Sequence, residues 1–422
     1  MSNNQDKIRN THSFVFTRLK EYCTGCGACV QVCAHKALCM QPDEEGFLYP
    51  VRNETQCVLC GLCDDICPVT NNTIENEEYE QQCFVATTNE SKYYLESATI
   101  GICTMLTESF ISDGGVVFGA YLDENKWEVY HKKIEGIEFI DQIRNSKYSQ
   151  SSTKETFTEV KTLLRTGNKV LYIGTPCQIA GLKAYLRKPY ELLYTIDIIC
   201  HGTFSPKLLP LEVRYWEKLF NSKLKNLRFR SKRKYKYENG GMVNFDIEKN
   251  GKCLHIERYA ASSPSYRCFA YSGDGKSYNI RQSCYSCPFR ALNRYGDITV
   301  GDPWYVKPET IQNKKLKPNN IIRSLYSTNT KKGIELISKI THYLLKEEVK
   351  RDNSFLQPAL LPCHREIPPQ REKLYSQLNT KDYGRLVEEL FHCNLEDSHR
   401  AFEKSYRKLR IKKIIKKILF IK

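Results

Sequence analysis

The sequence predicts a multidomain protein of the α+β and α/β classes. A small cysteine-rich module precedes a larger domain of mixed α/β structure and a helical C-terminal region. Three observations predict this architecture. Two runs of four cysteines lie near the N-terminus. Apolar, β-rich segments then alternate with segments of helical periodicity, and residues 381–422 are mostly helical in pattern and rich in lysine.

The two cysteine runs share one spacing, C-x-x-C-x-x-C-x-x-x-C. The first contains Cys23, Cys26, Cys29 and Cys33, and the second contains Cys57, Cys60, Cys63 and Cys67. This spacing is typical of the bacterial-type ferredoxin fold with two 4Fe-4S clusters, because the fourth cysteine of each run ligates the other cluster. We therefore expect one cluster on Cys23, Cys26, Cys29 and Cys67, and the other on Cys57, Cys60, Cys63 and Cys33. The alternative is a zinc ribbon or a disulfide framework, but a zinc site needs only four ligands in paired spacings, whereas this pattern supplies eight cysteines in a swapped arrangement.

Length and composition set the domain count and the compartment. A chain of 422 residues is expected to form two or three domains. We place the ferredoxin module at 1–80, the two parts of the larger domain at 83–165 and 166–330, and the helical region with its basic tail at 331–422. No apolar run approaches the roughly 18 residues that span a membrane, and no signal peptide precedes the module. The sequence therefore predicts a cytoplasmic protein of an anaerobic or low-oxygen cell, in which most of the nineteen cysteines serve metal ligation.

The net charge of +16 is unevenly distributed. Residues 20–80 contain eleven acidic and three basic residues, so the rest of the chain carries a balance of about +24. The ferredoxin module is therefore acidic. The basic remainder would attract an acidic coenzyme, a partner surface, anionic lipid or nucleic acid, and charge alone does not choose among them.

The larger domain is predicted to begin near residue 83, after a polar connector at 70–82. Segments 115–120, 169–174 and 194–199 have the composition of buried strands, and 157–166 has that of a helix with Gly167 after its C-terminus. Residues 333–346 and 381–422 are predicted to be mostly helical. Strand, helix, strand order favours a parallel or mixed sheet, with ligands at the carboxyl ends of its strands.

Four further cysteines form a second candidate site. Cys177 and Cys200 each follow a predicted strand beside proline or glycine, and Cys284 and Cys287 form a C-x-x-C pair. Together they would supply the four thiolates of a third 4Fe-4S cluster. The alternative is that Cys177 and Cys200 are ordinary small buried residues, since free cysteine is often buried.

Several motifs resemble the coenzyme F420 hydrogenase/dehydrogenase beta subunits and their flavin-containing relatives. In chain order they are Gly174-Thr175-Pro176-Cys177-Gln178, Asp197-Ile198-Ile199-Cys200-His201-Gly202, Phe229-Arg230-Ser231-Lys232, Cys284-Tyr285-Ser286-Cys287-Pro288-Phe289-Arg290, and Gly296-Asp297-Ile298-Thr299-Val300-Gly301-Asp302-Pro303-Trp304. The resemblance runs from about residue 83 to 306, and several members carry an N-terminal two-cluster ferredoxin. It implies an FAD-containing domain with one further 4Fe-4S cluster. Such a domain passes electrons between a hydride carrier and one-electron carriers.

The candidate cofactor-binding residues are Thr99, Gly101, Thr175, Gln178, His201, Arg230, Lys232, Asp297 and Asp302. Family members usually have a Ser-Gly-Gly loop where this chain has Ser97-Ala98-Thr99-Ile100-Gly101. Because Ile100 is β-branched, it resists close approach and positive φ. The segment therefore fits a plain helix start, with Thr99 or Ser97 as N-cap, as well as it fits a ligand loop.

The basic run at 223–236 allows three interpretations. Arg230, Lys232 and their neighbours could bind phosphates or the acidic tail of a deazaflavin coenzyme. With interleaved aromatic residues such as Phe229 they also resemble a nucleic-acid surface, and the third interpretation is a solvated hairpin. Asp297 and Asp302 could bind a ribityl hydroxyl or cap a turn. His201 could relay a proton or bond a carbonyl.

We therefore expect a flavin- and iron-sulfur-dependent oxidoreductase. FAD would mediate between a hydride carrier, either coenzyme F420 or NAD(P)H, and the 4Fe-4S clusters, which exchange electrons with ferredoxin, a reductase subunit or an organic acceptor. No catalytic residue is assigned. The alternatives are a ferredoxin-type electron-transfer adaptor without flavin and, less favoured, an iron-sulfur nucleic-acid protein.

The C-terminal tail has its own pattern. Residues 407–422 place Leu or Ile at 411, 414, 415, 418 and 421 among eight Lys or Arg. This pattern predicts a basic amphipathic helix, which could make peripheral contact with an anionic membrane, dock on a partner or remain solvated.

Overall fold

The computed structural model describes residues 14–17, 19–71, 80–230, 232–235, 241–317, 322–350, 358–362 and 364–418. Most of the connector at 70–82, part of the basic run at 223–236 and the end of the tail lie outside these ranges. Within them, no helix is long and apolar enough to cross a lipid bilayer.

The N-terminal module is a small α+β unit. Its elements are α1 (Phe14–Thr17), α2 (Ala28–Val32), β1 (Leu38–Pro42), β2 (Leu48–Arg52) and α3 (Leu62–Asp65). Strands β1 and β2 pair antiparallel, and α2 packs against α3. Each of these two helices therefore follows the second cysteine of one run, in two structurally similar halves.

The rest of the chain contains eleven strands and ten helices among the described residues. The strands are β3 (Gln82–Thr87), β4 (Val116–Asp123), β5 (Glu128–Ile134), β6 (Val170–Gly174), β7 (Leu193–Ile198), β8 (Leu224–Arg228), β9 (Met242–Lys249), β10 (Lys252–Tyr259), β11 (Ile298–Gly301), β12 (Ser324–Thr328) and β13 (Leu345–Glu348). The helices are α4 (Ser91–Tyr94), α5 (Ile102–Ser112), α6 (Thr156–Arg165), α7 (Pro176–Leu186), α8 (Leu208–Phe220), α9 (Pro264–Ala270), α10 (Lys331–Ser338), α11 (Gln370–Gln377), α12 (Tyr383–Phe391) and α13 (Leu395–Ile418).

Eight of these strands form one mixed sheet in the order β13-β3-β12-β11-β7-β6-β4-β5. The central strands β4, β6, β7 and β11 are parallel, while the outer neighbours pair antiparallel. Parallel strands end at the same edge, so the residues that follow β6, β7 and β11 are brought together. The three strands and the helix predicted from segments 115–120, 169–174, 194–199 and 157–166 are confirmed as β4, β6, β7 and α6.

Alternate side chains of the central strands fill two cores on opposite faces of the sheet, as the two-residue period of a strand requires. On β6, Leu171 packs with α5 and α10, whereas Val170 and Tyr172 pack with α6 and α7. The second core also contains Cys26 and Ala28 of the N-terminal module. The module is therefore docked on the face of the sheet that carries α6 and α7.

The C-terminal region differs in part from its helical prediction. In segment 333–346 only the start is helical, because β13 follows and pairs antiparallel with β3 at the sheet edge. Helices α11 and α12 pack with Phe47 of the N-terminal module and with Leu208 of α8. A separate antiparallel sheet, β10-β9-β8, packs on α8 through Trp216 and Phe245.

Candidate iron-sulfur and cofactor site

The two cysteine runs adopt the same backbone conformation. Gly25 and Leu59 precede the second cysteine of their runs and both have positive φ, at 68° and 55°. Gly27 and Gly61 follow that cysteine with φ of 79° and 74° and begin α2 and α3. Two equivalent loops that each present three thiols, with a fourth cysteine just past each helix, fit the swapped ligand sets of a two-cluster ferredoxin.

The two runs differ in exposure. Cys26 of the first run is buried against the larger domain, whereas Cys60, its counterpart in the second run, is exposed. Val58 and Leu59 beside Cys60 are 57% and 55% exposed. The first run therefore faces the protein interior at Cys26, and the second faces solvent at residues 58–60, although its last cysteine, Cys67, is buried.

Hydrogen bonds hold the first run against the larger domain. The Thr153 hydroxyl donates to the Cys26 carbonyl at 2.9 Å, and the Phe157 backbone N–H donates to the Gln31 side-chain oxygen at 2.8 Å. A Cβ at Gly181 of α7 would lie 3.0 Å from the Cys26 Sγ. Glycine at this helical position therefore allows the thiol to approach α7 closely, although Gly weakens a helix interior.

The four inner cysteines, Cys177, Cys200, Cys284 and Cys287, all line one cavity of about 340 Å³. Cys177 is held by a capping box at the start of α7, in which Thr175 is the N-cap and Gln178 the reciprocal partner. Cys200 lies two residues beyond β7, and Cys284 ends a 3-10 turn at Gln282–Cys284. Residues from three distant parts of the chain thus meet at the carboxyl edge of the sheet.

Electrostatics show that these thiols are mutual neighbours. Burial, and then the charges of Cys287, Cys200 and Cys284, raise the pKa of Cys177 well above its ordinary value. Burial and Cys284 likewise raise the pKa of Cys200 to about 11. Half-buried thiols with raised pKa values, as at Cys177 and Cys200, suit a positively charged iron-sulfur core, because ligation stabilises the thiolates. Among the described residues, no three His, Cys, Asp or Glu side chains converge on a single metal ion; a cubane places each thiolate on a separate iron, so its ligands lie farther apart.

A buried ion pair joins the two halves of the inner cysteine group. Asp197, near the end of β7, accepts from the Arg294 guanidinium at 3.1 Å and from the Thr299 hydroxyl at 2.6 Å. Its other oxygen accepts from the backbone N–H groups of Tyr295 and Gly296. Because Asp197 precedes Cys200 and Arg294 follows Cys287, this pair fixes the strand end relative to the C-x-x-C segment.

Seven of the nine predicted cofactor-binding residues line the cavity: Thr99, Gly101, Thr175, Gln178, His201, Arg230 and Asp302. The other two lie elsewhere. The Lys232 ammonium is fully buried and donates to the carbonyls of Ser97, Ala98 and Thr99, at 2.7, 2.6 and 3.1 Å. The Asp297 carboxylate accepts from Thr195 and Thr330, so it joins β7 and the start of α10.

The loop that departs from the family pattern keeps its backbone open to the cavity. Ile100 is completely buried in the core beneath the sheet, while Gly101 takes the positive φ of 90° and is the N-cap of α5. The prediction that Thr99 or Ser97 is the N-cap of this helix is therefore wrong. The Ile100 side chain is absent from the cavity wall, and the steric objection to a ligand at this loop does not apply.

Two basic residues of the run, Arg230 and Lys232, are buried, so the solvated-hairpin interpretation is wrong for them. Lys223, Lys225, Arg233 and Lys234 are exposed, and β8 pairs antiparallel with β9, as that interpretation expects. Arg230 is 4% exposed and forms a bidentate pair with Asp302 at 2.9 and 2.8 Å. Lys234 and Tyr235 both donate to Glu403 of α13. Opposite the pair, the His201 ring lies 5.2 Å from that of Trp304, and burial lowers the pKa of His201 to about 4.

Sequence reasoning missed two basic groups beside the cavity. Lys147 lines it, and burial followed by the charge of Arg228 lowers the pKa of Lys147 to about 7. Arg365 donates to the carbonyls of His201 and Cys284, both at 3.2 Å. Neither lies in a recognisable motif, and no local pattern marks them.

Comparison with known proteins agrees with this organisation. Residues 167–350 match the family model for the C terminus of the beta subunit of coenzyme F420 hydrogenase/dehydrogenase, and residues 22–71 match the 4Fe-4S dicluster domain. The chain is 23% identical over 204 residues to a subunit of the F(420)H(2) dehydrogenase of Methanosarcina mazei, covering 45% of this chain and 58% of the relative. It is 22% identical over 300 residues to the coenzyme F420-dependent sulfite reductase of Methanocaldococcus jannaschii, covering 66% of this chain and 42% of the relative.

The chain thus spans about half the length of these curated relatives. A structure of the F420-reducing [NiFe] hydrogenase complex from Methanosarcina barkeri aligns over 77% of this chain and 94% of the matched chain. Its identity is 17% and its TM-score 0.40, which is too low to support a conclusion. By their family-model matches, residues 167–350 are similar to the C terminus of the coenzyme F420 hydrogenase/dehydrogenase beta subunit, and residues 22–71, which precede them in the same chain, are similar to a 4Fe-4S dicluster domain.

Proposed function

We propose that the protein is an iron-sulfur flavoprotein oxidoreductase that passes electrons between a hydride carrier and a one-electron partner. The observation that carries this proposal is the cavity whose wall contains all four inner cysteines. A cofactor bound there would lie against the third cluster, and the docked ferredoxin module would continue the path outwards. We assign FAD to this cavity, because a flavin can accept two electrons as a hydride and release them one at a time.

The chain's own residues suit such a cofactor. The loop at 97–101 and the capped start of α7 both line the cavity. Ile143 and Ile173 add apolar wall that excludes water. Lys147 lies in the same wall, where its ammonium donates to the Arg144 carbonyl at 2.6 Å, and an anion bound nearby would raise its lowered pKa and favour its charged form. We assign Lys147 the role of stabilising negative charge in the cavity.

The exposed second cysteine run is proposed as the outer electron port. Glu54 and Asp65, close to Cys57 and Cys63 in sequence, are exposed, and Leu59 presents its apolar side chain despite a positive φ that disfavours leucine. A redox protein with a basic rim and an apolar centre would complement this surface. Leu59→Glu should slow electron exchange with such a partner and leave reduction by dithionite unchanged, whereas equal slowing of both would contradict the port.

The F420-related names of both relatives favour a deazaflavin as the hydride carrier, with NAD(P)H as the other option. The test is anaerobic reduction followed by visible absorbance. Reduced F420 should bleach the flavin and the clusters together within turnover times. If the protein holds flavin but neither reduced F420 nor NAD(P)H bleaches it, while reduced ferredoxin does, the ferredoxin end is the electron inlet and an organic molecule is the acceptor.

One observation favours the flavin-free adaptor as a second candidate. Arg230 is paired with Asp302, and Lys232 is bound to loop carbonyls, so the two basic residues expected to hold phosphates already have internal partners. The same contacts disfavour a nucleic-acid surface. Purified protein with a full complement of iron but no flavin would select the adaptor.

The C-terminal helix supports a proposal of peripheral membrane contact. Phe402 stacks on Tyr259 at 4.6 Å, which fixes the first part of α13. Farther along, Leu409, Ile411 and Ile414 are more than half exposed among basic residues. An exposed apolar and basic helix end suits anionic lipid.

A further inference from the structure

Arg281 is a buried arginine that lies between the ferredoxin module and the inner cysteine group. It is 1% exposed and precedes the 3-10 turn Gln282–Cys284. This turn packs against the turn Lys20–Tyr22, which leads directly into Cys23. Burial of a guanidinium costs free energy unless its N–H donors have hydrogen-bond partners. The partners of the Arg281 guanidinium therefore indicate what this residue does.

The guanidinium donates to a ligand of the first ferredoxin cluster. Its Nε donates to the Cys23 carbonyl at 2.6 Å, and one Nη lies 3.6 Å from the Cys23 Sγ. The other Nη donates to Gln150 at 3.0 Å, and Gln150 in turn donates to the Thr24 carbonyl at 2.9 Å. The group also lies 4.0 Å from the centre of the Tyr49 ring. These contacts are with neutral oxygens, a ring and the Cys23 sulfur.

The backbone of Arg281 forms hydrogen bonds with residues of the inner cysteine site. Its carbonyl accepts from the Cys284 N–H at 2.9 Å, and its N–H donates to the Thr203 carbonyl at 3.2 Å, three residues after Cys200. A Cβ at Gly25 would lie 2.8 Å from an Arg281 nitrogen, so the glycine makes room for the guanidinium. One residue therefore contacts a proposed ligand of each cluster, Cys23 through its side chain and Cys284 through its backbone.

We propose that Arg281 is a positioning residue that holds the Cys23 cluster beside the inner cluster and raises its reduction potential. Reduction adds negative charge to a cluster, and hydrogen bonds to sulfur and nearby positive charge stabilise the reduced state. A buried guanidinium exerts this effect strongly because water screens it little. A higher potential at the Cys23 cluster favours electron transfer from the inner cluster to the module. The inference rests on the cluster assignments of the proposed function.

The test is potentiometric titration, followed by EPR, of full-length, iron-loaded protein. The variants are Arg281→Gln and Arg281→Met, which remove the charge, and Arg281→Lys, which keeps it. Arg267→Gln is the matched control, since Arg267 donates to the carbonyls of Ala261 and Tyr271 and contacts no cluster ligand among its described hydrogen bonds. A Cys23→Ser variant identifies the signal of the Cys23 cluster.

We expect the charge-removing variants to lower the reduction potential of the Cys23 cluster by at least about 59 mV, which corresponds to a tenfold change in its one-electron reduction equilibrium constant. Arg281→Lys and Arg267→Gln should stay within tenfold of the parent. An unchanged potential in iron-replete Arg281→Gln, or the same fall in Arg281→Lys, would overturn the proposal. If neither charge-removing variant retains the Cys23 cluster, Arg281→Lys decides: retention at the parent potential supports the proposal, and loss contradicts it. Absence of the Cys23 cluster from the parent protein would instead refute the cluster assignment.

Discussion

The buried pair between Asp197 and Arg294 gives a prediction whose magnitude follows from the structure. The side chains are 0% and 1% exposed, and Asp197 accepts four hydrogen bonds in all. Asp197→Asn removes the negative charge and leaves the guanidinium buried without it, a change that costs about 3–5 kcal/mol. The same variant should lose inner-cluster iron, because the pair joins the strand before Cys200 to the segment after Cys287.

The assay is guanidinium unfolding of the iron-free chain, followed by circular dichroism, with the midpoint compared to that of the parent. Asp397→Asn is the matched control, since its ion pair with Arg400 is exposed and is worth about 0–1 kcal/mol. Asp197→Asn combined with Arg294→Met should be less destabilising than the sum of the single changes, because no uncompensated charge is left. A loss below about 1 kcal/mol in Asp197→Asn would refute the view that this pair carries a desolvated charge.

Three further predictions follow from particular contacts. Burial lowers the pKa of His131 to about 4, and the neutral ring accepts from Ser151 and donates to the Ile173 carbonyl. The neutral His131 ring therefore adds roughly 3 kcal/mol to the free energy of unfolding above about pH 6.5, and this stabilisation is lost as the pH falls towards 4. His131→Gln should flatten this part of the curve of unfolding free energy against pH. An unaltered slope would count against the assignment of a neutral, buried His131. Gly181→Ala would stabilise an isolated helix, but the added Cβ would lie 3.0 Å from the Cys26 side chain. We therefore expect thermal unfolding to show a loss of about 1–3 kcal/mol in stability, and the variant should retain the first cluster less well. A more stable variant would contradict the close approach of Cys26 to α7. Truncation after Arg407 keeps Phe402 and Tyr406 packed but removes the exposed apolar end of α13, and it should abolish co-sedimentation with anionic liposomes; equal binding by both forms would remove the membrane proposal.

The parts of the structure predicted from sequence are those determined by local pattern. The ferredoxin runs are recognisable because ligand spacing is local, and β4, β6 and β7 because strands buried on both faces leave continuous apolar runs. By contrast, β13 has the sequence Leu-Lys-Glu-Glu and is a strand only because it pairs with the edge of β3. Tertiary pairing overrides the helical pattern around it.

The candidate site divides in the same way. The four inner cysteines were found because each occurs in a short motif, and the structure brings them to one cavity. The contacts of Arg281 with Cys23 join residues 258 positions apart, and those of Arg294 with Asp197 join residues 97 positions apart. No local pattern encodes such pairs. Lys232 was a candidate cofactor-binding residue because it lies in the basic run and in the motif at 229–232, yet its ammonium donates to loop carbonyls.

The central claim is that one chain holds three 4Fe-4S clusters and one flavin, and metal and flavin analysis tests it most directly. Iron, acid-labile sulfide and flavin should be measured per chain on anaerobically purified and reconstituted protein. The account predicts about twelve irons and one flavin, with about eight irons in a Cys200→Ser, Cys287→Ser double variant, since each cubane contains four irons. About eight irons and no flavin in the parent protein would contradict it and would favour the electron-transfer adaptor.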